Sequence, residues 1–231
     1  MSRFQTTRWG LIAAAAREAP EQSRPALEQL CRAYRPPVLA YIRRCGKPGH
    51  DAEDLAQSFF LRFLERGWYA DADPHRGRFR SLLLTALRHF LADAHAHATA
   101  LTRGGGARFE DGLERVADTG ETPEQAFDHA WLGTVLARAV DTLKGEWDLA
   151  GKGAQFHQLL PLLVERPEGE TLRRLAAEHG QRANSLAVQV HRMRKRLRQL
   201  VRLELLRTVG SGEALERELA DLRNVLSGTD P

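Results

Sequence analysis

Apolar residues along this chain recur at intervals of three and four, and almost nowhere at two. That spacing lines side chains up on one face of a helix and scatters them in a strand, so the fold class reads as all-α. The helices it predicts cover 5–16, 23–44 with a break near Pro36-Pro37, about 51–67, about 79–101, 123–147, 152–164, 171–179, 184–206 and a tail at 213–226. Gly46-Lys47-Pro48-Gly49 reads as a turn and 71–77 as a loop. Residues 103–122 open on Gly104-Gly105-Gly106, are rich in acidic residues and lack periodicity, which marks a linker. Thr122-Pro123-Glu124 then starts a helix, with proline at the first helical position. The expected organisation is two helical domains, 1–102 and 123–209, joined by a flexible linker at 103–122 and followed by an acidic amphipathic tail at 210–231.

A chain of 231 residues can bury a core in each of two domains without covalent staples. Cys31 and Cys45 show neither CxxC nor metal-ligand spacing, which excludes a disulfide scaffold and a zinc finger and fits a reducing compartment. No apolar run approaches the ~18 residues of a membrane span. The run at 11–16 is short and lacks the layout of a signal peptide. The expectation is a cytoplasmic protein with no membrane partner.

Charge is unevenly spread. The net formal charge of +4 conceals +5 over 1–100, −5 over 101–165, +7 over 166–209 and −3 over 210–231. The +7 stretch coincides with the sharpest local pattern, TLRRLAAEHGQRANSLAVQVHRMRKRLRQL at 171–200. Leu172, Leu175 and Ala176 give a short first helix an apolar face, His179-Gly180 supplies the turn, and Asn184 or Ser185 is placed to cap a second helix. Leu186, Val190, Met193, Leu197 and Leu200 form the buried stripe of that helix. Its opposite face carries Asn184, Val188, His191, Arg192 and Lys195, flanked by Arg194, Arg196 and Arg198. Polar groups at the N-terminal end and cations beyond them suit a helix in a major groove, where the first read base edges and the second neutralise phosphates. Asn184 and Gln189 have the chemistry to pair with adenine and Arg192 with guanine. A basic amphipathic helix on a membrane surface or a partner is the plainer alternative; the short preceding helix and glycine turn argue against it.

The segment DAEDLAQSFFLRFLE at 51–65 sets Asp51, Glu53 and Asp54 in a first helical turn. From the residue pattern alone, complementarity to the helix dipole explains them best. A catalytic carboxylate pair and an acidic docking edge beside Gln57 and Phe60 are the alternatives. No nucleophile motif or phosphate-binding loop accompanies them, so no catalytic residue, metal or cofactor is expected.

Two segments in order, DAEDLAQSFFLRFLE followed by RGRFRSLLLTALRHFLAD, resemble region 2 of the sigma-70 family of bacterial RNA polymerase sigma factors, and residues 171–200 resemble region 4. The two-domain layout resembles the extracytoplasmic-function subfamily, and FQTTRW at 4–9 together with GRFRSLLLTAL resembles a longer branch of it. The resemblance implies a non-enzymatic transcription initiation factor whose partners are core RNA polymerase and promoter DNA, with an anti-sigma factor or a regulatory kinase as candidate regulators; Ser58, beside the docking acids, is a position where phosphorylation would add charge toward a basic partner. It implies polymerase docking by Asp51, Glu53, Asp54, Leu55 and Gln57. It implies contact with the minus-10 element by Arg78, Phe79, Arg80, Ser81, Arg88, His89 and Asp93, with Phe79 the aromatic singled out for stacking on unpaired DNA. It implies reading of the minus-35 element by Ser185, Ala187, Val188, Gln189, Arg192 and Lys195. The acidic linker is expected by analogy to thread through polymerase.

Two rivals come from other classes. One is a stand-alone helix-turn-helix repressor with an N-terminal dimerisation domain. The other is a helical enzyme built on His50, Asp51, Glu53 and Asp54. His95 and His97 are poor joint metal ligands, because residues two apart on a helix point to different faces. Trp9, Trp68, Trp131 and Trp147 read as core or interface anchors. The tail, with Leu215, Leu219, Leu222 and Leu226 on one face, reads first as a simple packing helix; its acidity and leucine stripe raise the alternative that it folds back on the +7 stretch and restrains DNA binding.

Overall fold

The structure is a computed structural model and describes residues 20–47, 49–71, 79–103, 120–164, 169–178, 180–209 and 212–227. The helices are α1 (Pro20–Arg44), α2 (Gly49–Glu65), α3 (Phe79–Arg103), α4 (Pro123–Leu149), α5 (Gly153–Leu159), α6 (Gly169–Glu178), α7 (Ala183–Leu206) and α8 (Gly212–Ser227), with 3-10 turns at Trp68–Asp71 and Pro161–Leu163. Among the described residues there is no strand, as the periodicity requires. The helix expected at 5–16 and most of the expected linker lie outside the described residues.

The chain forms two compact units, residues 1–134 with 205–231, and residues 135–204. These bounds differ from the sequence-read domains, since 123–134, 205–209 and the tail count with the first unit. The first turns of α4 explain part of the difference. Thr122 Oγ1 accepts from the Gln125 N–H at 3.1 Å while Gln125 Oε1 accepts from the Thr122 N–H at 2.8 Å. This reciprocal cap starts the helix at Pro123, and its next two turns then bury Ala126, Phe127 and Trp131 in unit 1.

In unit 1, α1 buries Leu30, Ala33, Tyr34, Val38, Tyr41 and Ile42. The expected break at Pro36-Pro37 is absent, and α1 runs unbroken through Pro25, Pro36 and Pro37. An interior proline costs about 3 kcal/mol. Burial on both sides of the pair, with Tyr34 and Val38 fully enclosed, offsets that cost. α2 contributes Ala52, Ala56, Phe59 and Phe63, and α3 contributes Phe79, Leu83, Leu87 and Phe90. Tyr34 stacks on Trp131 with centroids 4.6 Å apart, and Phe79 meets Tyr34 edge-on at 5.2 Å and Phe63 at 6.3 Å. Both cysteines are free thiols, and burial pushes the Cys31 thiol up to about 11.

In unit 2, the core is built from Ala139, Leu143, Phe156, Leu159, Leu162, Ala176, Leu186, Val190, Met193 and Leu200. The helix expected over 152–164 is instead α5 followed by a 3-10 turn, because Pro161 has no N–H to continue the α-helical ladder. α6 ends as the sequence predicts. Gly180 sits at φ +60, Gln181 N–H bonds to the Ala176 carbonyl at 2.8 Å and Gly180 N–H to the Ala177 carbonyl at 3.0 Å. These two bonds close the helix and release the chain into α7. α7 starts at Ala183, with the Arg182 carbonyl accepting from the Leu186 N–H at 3.1 Å, so Asn184 and Ser185 lie inside its first turn rather than capping it.

Candidate polymerase and nucleic-acid faces

The buried stripe of α2 dictates what its other side presents. With Ala52, Ala56, Phe59 and Phe63 inward, Asp54, Gln57, Ser58 and Leu61 share the exposed side. Leu61 is 58% exposed, an apolar side chain among polar neighbours, and sequence reasoning missed it although its helical position is legible. Two of the expected docking acids are already engaged. Glu53 bridges α2 to α1, pairing with Arg35 and, at 3.0 Å, with Arg43. Asp51 lies 2.8 Å from His50 Nε2. Leu55 is half-buried. Asp54 and Gln57 are exposed.

α3 departs most from expectation. Phe79 is 1% exposed and its ring belongs to the aromatic core, so it has no free face for a base. Its place follows from spacing: Phe79, Leu83, Leu87 and Phe90 make one stripe at four, four and three. Arg80 is also buried. Its guanidinium pairs with Asp128 of α4 and with Glu218 of α8, at 3.2 Å from Nε to Oε1 and 3.4 Å from Nη2 to Oε2. Burial alone would lower the Arg80 pKa, but Glu218 and Asp128 outweigh it and raise it, so the cation persists inside unit 1. Both residues were expected on promoter DNA, and both are structural here. Arg88 is exposed but donates to Glu124 Oε1 at 2.8 Å; that bond, with Tyr41 nearby, raises its pKa. His89 and Ser81 are exposed. Asp93 pairs with Arg62 at 3.7 Å. Arg78 lies outside the described residues.

The tail is α8, and it counts with unit 1, whereas residues 166–204 of the +7 stretch count with unit 2. Among its described side chains, Leu215, Glu218 and Leu222 are buried, at a spacing of three and four. Glu218 is the polar exception on that stripe, and Arg80 is the reason it can be there.

In unit 2, α7 turns Leu186, Val190, Met193 and Leu200 inward and leaves Asn184, Ser185, Val188, His191, Arg192, Lys195 and Arg198 exposed. Val188 is 48% exposed within the first two turns of the helix. Three other expected contacts have neighbours. Arg196 is held by Glu146 of α4 in a two-point pair, Nε to Oε2 at 3.0 Å and Nη2 to Oε1 at 2.5 Å, and the hydrogen bonds to Glu146 raise its pKa. Arg194 donates to the Leu162 carbonyl at 3.1 Å through Nε. Gln189 exchanges hydrogen bonds with Gln155 of α5. Gln189, Arg192 and Arg196 edge a groove of about 340 Å³ floored by Leu143, Trp147 and Met193.

Among the described residues no three His, Cys, Asp or Glu side chains gather as a metal site, and no helix is long and apolar enough to cross a membrane. Residues 30–100 match the family model described as sigma-70 region 2. The matched segment runs from Leu30 in α1 through α2 and most of α3. The match spans about a third of the chain. No curated protein and no solved structure matches the chain significantly.

Proposed function

We propose that the chain is a sigma factor of the extracytoplasmic-function type that binds core RNA polymerase and directs promoter-specific initiation. The single observation that carries the proposal is where the region 2 match falls. It covers the α1–α3 bundle, whose α2 presents Asp54, Gln57 and Leu61 on one exposed face. A carboxylate, an amide and an exposed leucine at that spacing suit a basic amphipathic partner helix on polymerase: the leucine supplies apolar contact and the acid sets orientation. Unit 2 supplies the second function. Its glycine-closed α6–turn–α7 motif exposes Asn184, Ser185, Val188 and Arg192 at the N-terminal half of α7, with Lys195 and Arg198 beyond. That order of base-reading groups followed by phosphate-binding groups supports docking on the minus-35 element. The chain supplies binding energy and geometry while the polymerase performs the chemistry.

The test is capture of purified core polymerase followed by transcription from a promoter library. Capture with initiation at new sites is the expected result. Asp54→Arg combined with Leu61→Ala should lose capture while unit 2 still binds DNA. Capture that survives this pair of substitutions removes α2 from the interface. DNA binding without any capture replaces the sigma reading with that of a free-standing repressor.

A further inference from the structure

We infer that Gln155 sets the base preference of α7 by withholding Gln189 from adenine. The inference rests on the reading of α7 as the promoter-facing helix and deepens it.

The two carboxamides face one another. Gln189 Nε2 donates to Gln155 Oε1 at 3.1 Å, and Gln155 Nε2 donates to Gln189 Oε1 at 3.4 Å. Each amide therefore offers the other a carbonyl and the N–H on the same side as that carbonyl. Turning one amide over would set nitrogen against nitrogen and oxygen against oxygen, so each holds the other in register. Glutamine recognises adenine with the same edge, its oxygen accepting from N6 and its N–H donating to N7. One edge cannot serve both partners. While Gln155 holds Gln189, the bidentate contact with adenine is closed to it.

Gln155 is well placed to maintain this hold. Gly151 at φ +70 ends α4, with Lys152 N–H bonded to the Trp147 carbonyl at 2.9 Å and Gly151 N–H to the Asp148 carbonyl at 3.0 Å. α5 follows at once, anchored by Phe156 and Leu159, which are buried directly after Gln155 and one turn further on. Gln189 also edges the 340 Å³ groove, so a released carboxamide has room to change rotamer. With Gln189 withheld, base reading on this part of α7 falls to Val188, whose methyl groups suit a thymine methyl, and to Arg192, whose fork suits guanine. Gln155 is a positioning residue in this scheme. It acts on DNA only through Gln189.

The experiment uses the full chain with core polymerase and a promoter library randomised across the upstream element, with bound DNA sequenced. Gln155→Ala should gain a preference for adenine at one position of at least about fivefold, the lower end of what a bidentate base contact provides. Adding Gln189→Ala should remove that gain. A mere packing role for the pair predicts instead a uniform loss of binding with no new preference, and that result overturns the inference. So does a Gln155→Ala profile that matches the unsubstituted chain, or an adenine preference in the unsubstituted chain that Gln189→Ala abolishes. If the unsubstituted chain shows no base preference at all, the promoter-facing reading of α7 fails and the inference fails with it. That outcome is visible before any substitution is made.

Discussion

Arg80 in unit 1 and Arg196 in unit 2 began with the same expected role, a cation on promoter DNA, and each meets carboxylates of its own chain. The environments differ. The Arg80 side chain is 9% exposed and its partner Glu218 is 2% exposed, whereas Arg196 and Glu146 stand at 43% and 38%. Both guanidinium groups have raised pKa values, but for Arg80 the carboxylates must first overcome burial, while for Arg196 the hydrogen bonds to Glu146 dominate. A buried cation has no water to return to, so its partners are obligatory and it is part of the core. A half-exposed pair is screened by solvent and can exchange a carboxylate for a phosphate at little cost. Burial, more than the presence of a partner, separates a structural arginine from one still available to a ligand.

Substitutions that strand one member of each pair break or sharpen this comparison. Glu218→Ala leaves Arg80 with Asp128 alone inside unit 1 and should cost about 3–5 kcal/mol, as breaking a buried pair does. A denaturant midpoint unchanged from the parent would return Arg80 to the surface. Phe79→Ala, at the neighbouring position, should cost about 3–5 kcal/mol by opening a cavity beside Tyr34 and Phe63. Were Phe79 a stacking platform, stability would hold and only promoter melting would suffer, so paired unfolding and permanganate-footprinting measurements separate the two. Arg192→Ala, on the exposed face of α7, should leave unfolding unchanged and weaken promoter binding by about 1–3 kcal/mol with relaxed preference at one base pair. Glu146→Ala should cost folding less than about 1 kcal/mol. The freed Arg196 should instead steepen the salt dependence of DNA binding by about one unit in the slope of log K against log salt. A flat response in both measurements would mean that Arg196 reaches no phosphate.

α2 and α3 show how differently two helices can be read from sequence. On α2 the inward stripe of Ala52, Ala56, Phe59 and Phe63 leaves no ambiguity about which side faces out, and Asp54 and Gln57 stand where their positions place them. On α3 the same arithmetic puts Phe79 inward, and that signal was available. A functional expectation attached to its aromatic ring obscured the plainer message of its spacing. Arg80 carried no such signal. It follows Phe79 on the edge of the stripe, where an arginine can as easily meet water as a neighbouring element. α8 was legible as an amphipathic helix, but its acidic character suggested a basic surface elsewhere, when what Glu218 required was one buried guanidinium.

Helix positions, the glycine-closed turn before α7 and the buried stripes follow from periodicity and local backbone chemistry, which act over three to six residues and are therefore written into adjacent positions. The partners of charged and amide groups do not follow, because those partners lie far away in the chain. Asp128 is 48 residues from Arg80, Glu218 is 138 away, and Gln155 is 34 from Gln189. A guanidinium or carboxamide has the same local sequence context whether it faces water or a distant carbonyl. Only the packing of helices decides which it meets, and that choice determines which of these groups stay exposed to a ligand.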